Sequence, residues 1–280
     1  MNGPPRRISV WLDGVSLARG AFAHGLEWAA QLHLPLQVVA APRRWWVQRP
    51  TSADAPVVGR IEETLEACGA ACARVGVAWG AASWDWPLSP AIAACFQPTD
   101  LWVFGAALPE AVKVELLRQS EATAAPLLVC PQSWQPAARF LILHEPGAPA
   151  SGFLLRAVQL CKAWRLPPVI LTVARSQRAA QLGQDYAEEI AARQQCPADF
   201  DSLVGADIPG AAAQVAQWRR RTHVIVERRP PRPWRPWLGD SLVEWLGLSE
   251  CLTFLALPGG PAEPPSLVRA GDALRLTCPR

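Results

Sequence analysis

An internal repeat sets the architecture of this 280-residue chain. An apolar run begins at Arg7, a helix-like segment follows it, and a Leu-Pro pair at 34–35 precedes a second apolar run. A shift of 132 residues, from Arg7 to Arg139, returns the same order without a gap, with a second Leu-Pro pair at 166–167. Because the two halves match at a constant shift and in the same order of segments, the sequence indicates a duplication.

Strand-like and helix-like segments alternate through both halves. Continuous apolar strands alternating with helices are typical of a parallel sheet that is covered on both faces. The sequence therefore predicts an α/β fold made of two tandem doubly wound domains, each with a five-stranded parallel sheet. The predicted strands are 7–13, 36–41, 77–83, 101–105, 126–130, 139–143, 168–174, 200–205, 223–227 and 251–257. The predicted helices are 16–33, 58–75, 88–96, 109–122, 151–165, 178–195, 209–221 and 239–247.

The repeat also predicts where the domains begin and end. The first domain covers 1–131, a short linker covers 132–138, and the second domain covers 139–258. The remaining residues, 259–280, form a Pro- and Gly-rich tail with one late strand at 273–278.

Composition narrows the class of protein. Half of the residues are apolar and 18% are charged, which is typical of a globular chain. The net charge of +3 is too small to indicate a polyanion partner by itself. The first residues lead into a strand-like run with no hydrophobic signal segment, and no apolar stretch is long enough for a membrane span, so we expect a cytoplasmic protein without a membrane partner. The eight cysteines form no CxxC pair and are expected to be reduced thiols.

The motifs resemble those of the universal stress protein family in its tandem form. Val-Trp-Leu-Asp-Gly stands at 10–14 before a helix, Asp-Leu-Trp-Val-Phe-Gly at 100–105, and Pro-Leu-Leu-Val-Cys-Pro at 126–131. The corresponding stretches of the second half are 224–226, 238–242 and 252–258. The resemblance implies an adenine nucleotide alpha hydrolase-like, Rossmann-like fold and a role in the stress response. It also implies that the last strands, 126–130 and 251–257, pair as an internal counterpart of the family's dimer.

That family includes members that bind ATP and members that do not. Similarity implies that the Asp after the first strand reaches the nucleoside, and that a glycine-rich loop after the fourth strand holds the phosphates. In the first half Asp13 matches that Asp, Val39 lies on the adenine-side strand, and Gly105 matches the first glycine. The rest of the loop departs from the pattern, since Leu108 replaces the second glycine and Arg118 begins the stretch where Gly-Ser belongs.

The second half departs further from the pattern. His144 and Glu145 stand where the first half has Asp13, and Glu227 replaces the first glycine. Only Gly239 and Ser241 resemble the end of the phosphate loop. Neither half therefore matches an ATP site of the family's type, and no cofactor is expected.

We therefore expect a protein that acts by binding and interaction and is not an enzyme. The chain lacks phosphate-loop, dinucleotide-fingerprint, nucleophile-elbow and zinc-protease motifs. An alternative is a nucleotide-binding regulator that keeps one ATP or other adenine-nucleotide site, formed by Asp13, Val39, Gly105 and Arg118.

The stretch 218–237 suggests a further interpretation. It holds seven arginines and one glutamate, with tryptophans and prolines interleaved. Arginine with aromatic residues is typical of phosphate or single-stranded nucleic-acid surfaces, although a solvated loop has the same composition. The partner is therefore an unidentified protein, a second copy of the chain, or a polyanion bound by Arg228, Arg229, Arg232, Trp234, Arg235 and Trp237.

Two smaller features have a structural and a chemical interpretation. Cys68 and Cys72 have helical spacing and lie on the apolar stripe of their helix, which favours core thiols over half of a metal site. His144 is the one histidine at a strand end, where a side chain can take part in chemistry.

Overall fold

The computed structural model describes most of both halves of the chain. Ten strands form one sheet in the order β3-β2-β1-β4-β5-β10-β9-β6-β7-β8. Within the sheet every pair of neighbours is parallel except β5 and β10. The residues described are 5–12, 19–40, 55–83, 100–105, 116, 119–120, 123, 125–131, 133–146, 151–205, 222–228, 253–258, 266–270 and 273–277.

The first half supplies five strands and two described helices. Its central strands are buried apolar runs, as a parallel sheet covered on both faces requires. The helices are α1 (Arg19–Leu32) and α2 (Ala55–Val75). The strands are β1 (Arg7–Leu12), β2 (Leu36–Ala40), β3 (Trp79–Ser83), β4 (Asp100–Gly105) and β5 (Leu127–Cys130).

The second half repeats this order. Its helices are α3 (Ser151–Trp164) and α4 (Gln177–Arg193), and α4 begins at the N-cap Ser176, whose hydroxyl accepts a hydrogen bond from the Ala179 amide. Its strands are β6 (Arg139–His144), β7 (Pro168–Ala174), β8 (Asp199–Val204), β9 (Thr222–Arg228) and β10 (Thr253–Pro258). The predicted α/β, Rossmann-like architecture is confirmed.

The 132-residue shift holds at the level of single residues in the described parts of each half. Strands β1 and β6, and helices α1 and α3, begin and end at positions that differ by this shift. The turn after each of these helices also matches, because His33 and Arg165 adopt left-handed backbone conformations with φ of 55° and 56°.

The two halves meet at the antiparallel pair β5–β10, in which Leu128 is opposite Leu255. These are the two segments named above as last strands. Pairing them leaves β3 and β8 as the outermost strands among those described. Helices α1 and α3 contact each other. Their contact includes a hydrogen bond of 3.1 Å from Nε2 of the Gln31 side chain to the Trp164 backbone carbonyl oxygen.

Helix α1 packs closely on its own strand. A Cβ atom added at Gly25 would lie 2.2 Å from Cγ2 of Val10, so the helix could not sit this close with any larger residue. Three residues further along α1, Trp28 is fully buried and reaches the second half, with its ring 4.7 Å from that of Trp164 and 6.0 Å from that of Phe140.

The tail differs from the prediction of a single late strand. It forms an antiparallel hairpin of β11 (Ser266–Ala270) and β12 (Ala273–Thr277). The predicted helices 88–96, 209–221 and 239–247, and nearly all of 109–122, lie outside the described residues. Among the described helices, none has both the length and the apolar character that a membrane crossing requires. The domain bounds remain predictions.

Candidate functional site

Each half contains one point where the strand order reverses. In the first half this switch point lies between β1 and β4, and in the second it lies between β6 and β9. In open parallel sheets such a point leaves a crevice at the carboxyl ends of the two strands, which is where ligands bind. The structure therefore has two candidate crevices at its carboxyl edge.

The first crevice lies at the ends of β1 and β4. The register Val10–Val103 brings Gly105, the last residue of β4, to the level of Leu12, the last residue of β1. Val39 is buried in β2, on the other side of β1, opposite Trp11. The structure thus brings Val39 and Gly105 to either side of the point where Asp13 follows β1. The predicted site residues Asp13 and Arg118 lie outside the described residues.

The second crevice has a different lining. The register Ile142–Ile225 brings Glu227 of β9 to the level of His144, the last residue of β6. His144 is 2% exposed, and its ring lies 6.0 Å from that of Tyr186 in α4. The predicted residues Gly239 and Ser241 lie outside the described part of the chain.

Arg156 adds a cation to the second crevice. This side chain belongs to α3 and is half-buried. Burial lowers the pKa of Arg156, and the Glu227 carboxylate partly offsets that shift. Arg156 was not identified from the sequence. The 132-residue shift could have drawn attention to it, because it matches Arg156 of α3 to His24 of α1, so that both helices carry an ionisable side chain at the same position.

Thr172 of β7 is a further polar group in this part of the second half. Its side chain is 1% exposed, and its hydroxyl has no hydrogen-bond partner among the described residues. A Cβ atom added at Gly183 of α4 would lie 2.8 Å from the Thr172 methyl group, so helix and strand are in close contact there. The hydroxyl is therefore buried by packing.

Two histidines that sequence reasoning left unassigned meet between the halves. His24 of α1 and His223 of β9 are both buried, and their ring centroids lie 5.2 Å apart. Burial lowers the pKa of His24 to about 4, and burial together with the His24 charge lowers the pKa of His223 to about 3. Both rings are therefore neutral at physiological pH.

Polar groups of β10, of α1 and of the segment between β5 and β6 lie near the histidine pair. The Thr253 hydroxyl of β10 lies 3.4 Å from Nε2 of His24. On α1 itself, Oε2 of Glu27 lies 3.9 Å from Nδ1 of His24 and accepts a hydrogen bond of 3.0 Å from the Trp134 indole. These groups come from both halves, so the histidine pair lies within the junction.

At the opposite edge of the sheet, where the parallel strands begin, ion pairs connect strands of the same half. Arg7 at the start of β1 pairs with Asp100 at the start of β4, with Nε 3.1 Å from Oδ2. In the second half Arg139 at the start of β6 lies 3.5 Å from Asp199 of β8. Both pairs lie far along the strands from the crevices.

The predicted partner surface is described only at its first residue. Arg228 ends β9 directly after Glu227, opposite Pro258 of β10. Strand β9 therefore divides the stretch 218–237, and only the part from Arg228 onward follows the carboxyl end of β9, at the edge of the second crevice. The other predicted members lie outside the described residues: Arg229, Arg232, Trp234, Arg235 and Trp237.

The described cysteines are free thiols in the core, as predicted. Burial raises the pKa of Cys68 to about 12, with a smaller contribution from Cys72. A thiol with such a pKa stays protonated at neutral pH and is a weak nucleophile. Within the described ranges no group of three or more His, Cys, Asp or Glu side chains is placed to hold a metal ion.

Comparisons with known proteins agree on the fold. No protein-family profile matches the chain, and no curated protein matches its sequence. A universal stress protein from Archaeoglobus fulgidus DSM 4304 superposes with a TM-score of 0.66 at 12% identity, covering 91% of this chain and 99% of that one.

Two further structures show the same likeness. The cytoplasmic domain of a prokaryotic cation chloride cotransporter has a TM-score of 0.59 at 12% identity, covering 92% of this chain and 97% of that one. A candidate universal stress protein from Pseudomonas aeruginosa UCBPP-PA14 has a TM-score of 0.53 at 11% identity, covering 91% and 93%. The chain therefore has the α/β fold of the universal stress proteins.

Proposed function

We propose that this chain is a tandem universal-stress-type protein that acts in the stress response by binding a partner, without catalysis and without an ATP site of the family's type. The fold supports the first part of this proposal. The observation that carries the second part is the placement of Glu227 at the switch point of the second half, at the level where the first half has Gly105.

The charge of Glu227 opposes phosphate at this position. Two like unit charges 4 Å apart repel by about 4 kcal/mol at the effective dielectric of a protein surface. A glycine at the same position offers its backbone to a phosphate, whereas a glutamate occupies the space and adds a negative charge. The nearby Arg156 compensates Glu227 and is thereby less available to a ligand anion.

The described residues support binding more than chemistry. The thiols are buried with raised pKa values, and the histidine pair lies in the junction between the halves, away from both crevices. A nucleophile needs a base within hydrogen-bond reach and access to substrate. At the carboxyl end of β9 the chain instead carries Glu227, which is half-buried, followed by Arg228, the first residue of the predicted partner surface.

Native mass spectrometry of freshly purified protein, followed by calorimetric titration with ATP, tests this proposal. We expect no co-purified adenine nucleotide and no heat of binding. Gly105→Glu, which copies the second switch point into the first, should then change nothing in the titration. A co-purified nucleotide, or binding that Gly105→Glu abolishes, would overturn the proposal. Impaired survival of a deletion strain under stress, restored by the wild-type chain, tests the cellular role.

The alternative is a nucleotide-binding regulator with one adenine-nucleotide site in the first half. The placement of Val39 and Gly105 on either side of the end of β1 favours it. In that case Asp13→Ala should weaken ATP binding by at least about tenfold, a change equal to about 1.4 kcal/mol. Glu145→Ala, at the matching position of the second half, is the control and should bind as wild type does.

A polyanion partner is the remaining alternative. Arg228 supports it, because this first residue of the predicted partner surface stands at the carboxyl end of β9. Binding to single-stranded nucleic acid should then weaken steeply as salt rises and should be lost when Arg229, Arg232 and Arg235 are changed to Ser. Affinity that does not depend on salt would exclude it.

A further inference from the structure

The two outermost described strands, β3 and β8, each have one edge that no other described strand pairs, and the two edges differ in sequence. Strand β8 carries Asp199 and Asp201, both exposed, and Oδ1 of Asp201 accepts a hydrogen bond of 2.8 Å from the Ser202 amide. Charged side chains and occupied amides prevent an edge strand from pairing with another chain. The β8 edge is therefore protected.

Strand β3 has no such protection. Its sequence, Trp-Gly-Ala-Ala-Ser at 79–83, contains no charge and no proline. Trp79, Gly80 and Ala81 are exposed, and Trp79 keeps 39% of its surface accessible. Exposed edges with small uncharged side chains are the ones that accept a further strand.

The direction of the β3 backbone groups follows from its pairing with β2. The Leu36 amide donates to the Ala78 carbonyl at 2.8 Å, so the even-numbered residues of β3 face β2. In a parallel ladder the alternate residues direct their N–H and C=O groups away from the neighbour. The backbone groups of Trp79, Ala81 and Ser83 thus point to the free edge.

From this contrast we infer that β3 is an interaction surface through which two copies of this chain pair edge to edge. An antiparallel arrangement centred on Ala81 sets Ala81 opposite Ala81 and Trp79 opposite Ser83. This register pairs all the outward backbone groups of both strands, with about six hydrogen bonds. Because β3 is complementary to itself in this register, a second copy supplies hydrogen-bond partners for all of its outward backbone groups.

The surroundings of β3 favour a second copy as well. Val75 at the end of α2 is 53% exposed and Trp79 at the start of β3 is 39% exposed, so a two-fold contact that covers both side chains buries apolar surface from both chains. The same two-fold sets the two α2 helices antiparallel on one face of the extended sheet. The basic last turn with Arg74 then runs alongside the acidic middle of the partner helix, which carries Glu62, Glu63 and Glu66.

Self-pairing of β8, in contrast to that of β3, would bring like charges together. In a two-fold pairing centred on Phe200, Asp199 of each copy would lie opposite Asp201 of the other copy. Like charges placed opposite each other destabilise a strand pair. The two edges therefore predict one dimer contact, at β3, and give a matched control at β8.

Sedimentation velocity of the full chain over a range of concentrations tests the inference. We expect a reversible monomer–dimer equilibrium. Ala81→Lys and Ala81→Pro should each raise the dimer dissociation constant by at least about tenfold. The lysine places two like charges opposite each other, and the proline removes an outward amide. Ser202→Lys, the matched change at the β8 edge, should leave the constant unchanged.

Hydrogen exchange locates the contact independently of any variant. At concentrations that favour the dimer, the amides of 79–83 should exchange more slowly than in dilute protein, whereas those of 199–204 should not change. A chain that stays monomeric throughout, or a dimer that persists in Ala81→Pro without protection at 79–83, would overturn the inference. Circular dichroism of each variant verifies its fold, and ATP plays no part in any of these measurements.

Discussion

The two halves of the sheet share one strand order, yet the ends of their switch-point strands carry different chemistry. The first half ends β4 in Gly105, and the second ends the corresponding strand with Glu227 and Arg228. Their α1 and α3 helices also differ, because Trp28 and His24 of α1 reach across to the second half. The same strand order thus carries different side chains in its two halves: α1 contributes His24 and Trp28 to the junction, and β9 places charge at the carboxyl edge.

The largest expected effect comes from removing Trp28, which occupies the junction. Trp28→Ala should lower the free energy of unfolding by about 3–5 kcal/mol, the usual cost of deleting a buried tryptophan side chain. Leu160→Ala, at the matching position of α3, should cost about 2 kcal/mol or less because Leu160 is only partly buried. Urea denaturation measures both. Equal losses would show that the two helices contribute alike to the junction.

The next effect is a loss of stability in acid through the histidine pair. The folded pKa of His24, about 4, lies below its unfolded value near 6.5, so the unfolded chain binds more protons between these values. The stabilisation that comes from keeping this histidine neutral is fully present above pH 6.5. The free energy of unfolding should fall by on the order of 3 kcal/mol as the pH drops toward 4. The burial-raised pKa of Glu27 acts in the opposite direction at the acidic end of this range.

Variants at two histidines separate this effect from general acid sensitivity. His223→Phe keeps a ring among Trp28, Phe140 and Trp164 but cannot be protonated, so it should remove the part of the pH dependence that comes from His223 and leave the part that comes from His24. His33→Asn, an exposed site that also needs a left-handed backbone, should leave the dependence unchanged. A pH profile identical in all three proteins would remove the histidine pair as the cause.

A smaller effect is expected from the charges of the second crevice. Glu227→Gln removes the carboxylate that favours the charged form of the half-buried Arg156 and should cost about 1 kcal/mol. In an Arg156→Met background the same change should cost clearly less. A double-mutant cycle on urea denaturation measures this coupling, and additive losses would show that the two residues act independently.

The smallest effect tests where the halves are alike. His33→Gly and Arg165→Gly should each stabilise the protein by about 0.5–1 kcal/mol, because glycine adopts the left-handed conformation without the cost that a side chain adds. Thermal denaturation measures both changes. The two gains should be equal within error, and a marked inequality would show that the turns differ despite their matching backbone angles.

The strands and the repeat were predictable because their signals are local. Apolar runs such as 101–105 and 139–143 are buried strands, and the 132-residue shift reproduces the bounds of β6 and α3 from those of β1 and α1. The fold predicted from the resemblance is confirmed, whereas the ligand site at Asp13 and Arg118 stays a prediction.

The junction could not be predicted in the same way. His24 and His223 lie far apart in sequence and in different halves, so neither periodicity nor spacing connects them. The hairpin 266–277 was missed in part because its first strand, Ser266–Ala270, lies in a tail whose composition indicated loop. Contacts that depend on how elements pack in three dimensions leave no local pattern to read.

The presence of both halves in one chain has a consequence for how the contact across β5 and β10 can change. In a two-fold dimer of identical subunits every substitution occurs twice, on both sides of the axis. Here His24 of α1 contacts Thr253, while the matching position of α3 holds Arg156. The two sides of the contact therefore use different side chains at the same position. Covalent linkage also keeps the two faces at an effective concentration on the order of millimolar. A substitution can therefore change one side of the contact alone, and the two halves stay together at any protein concentration.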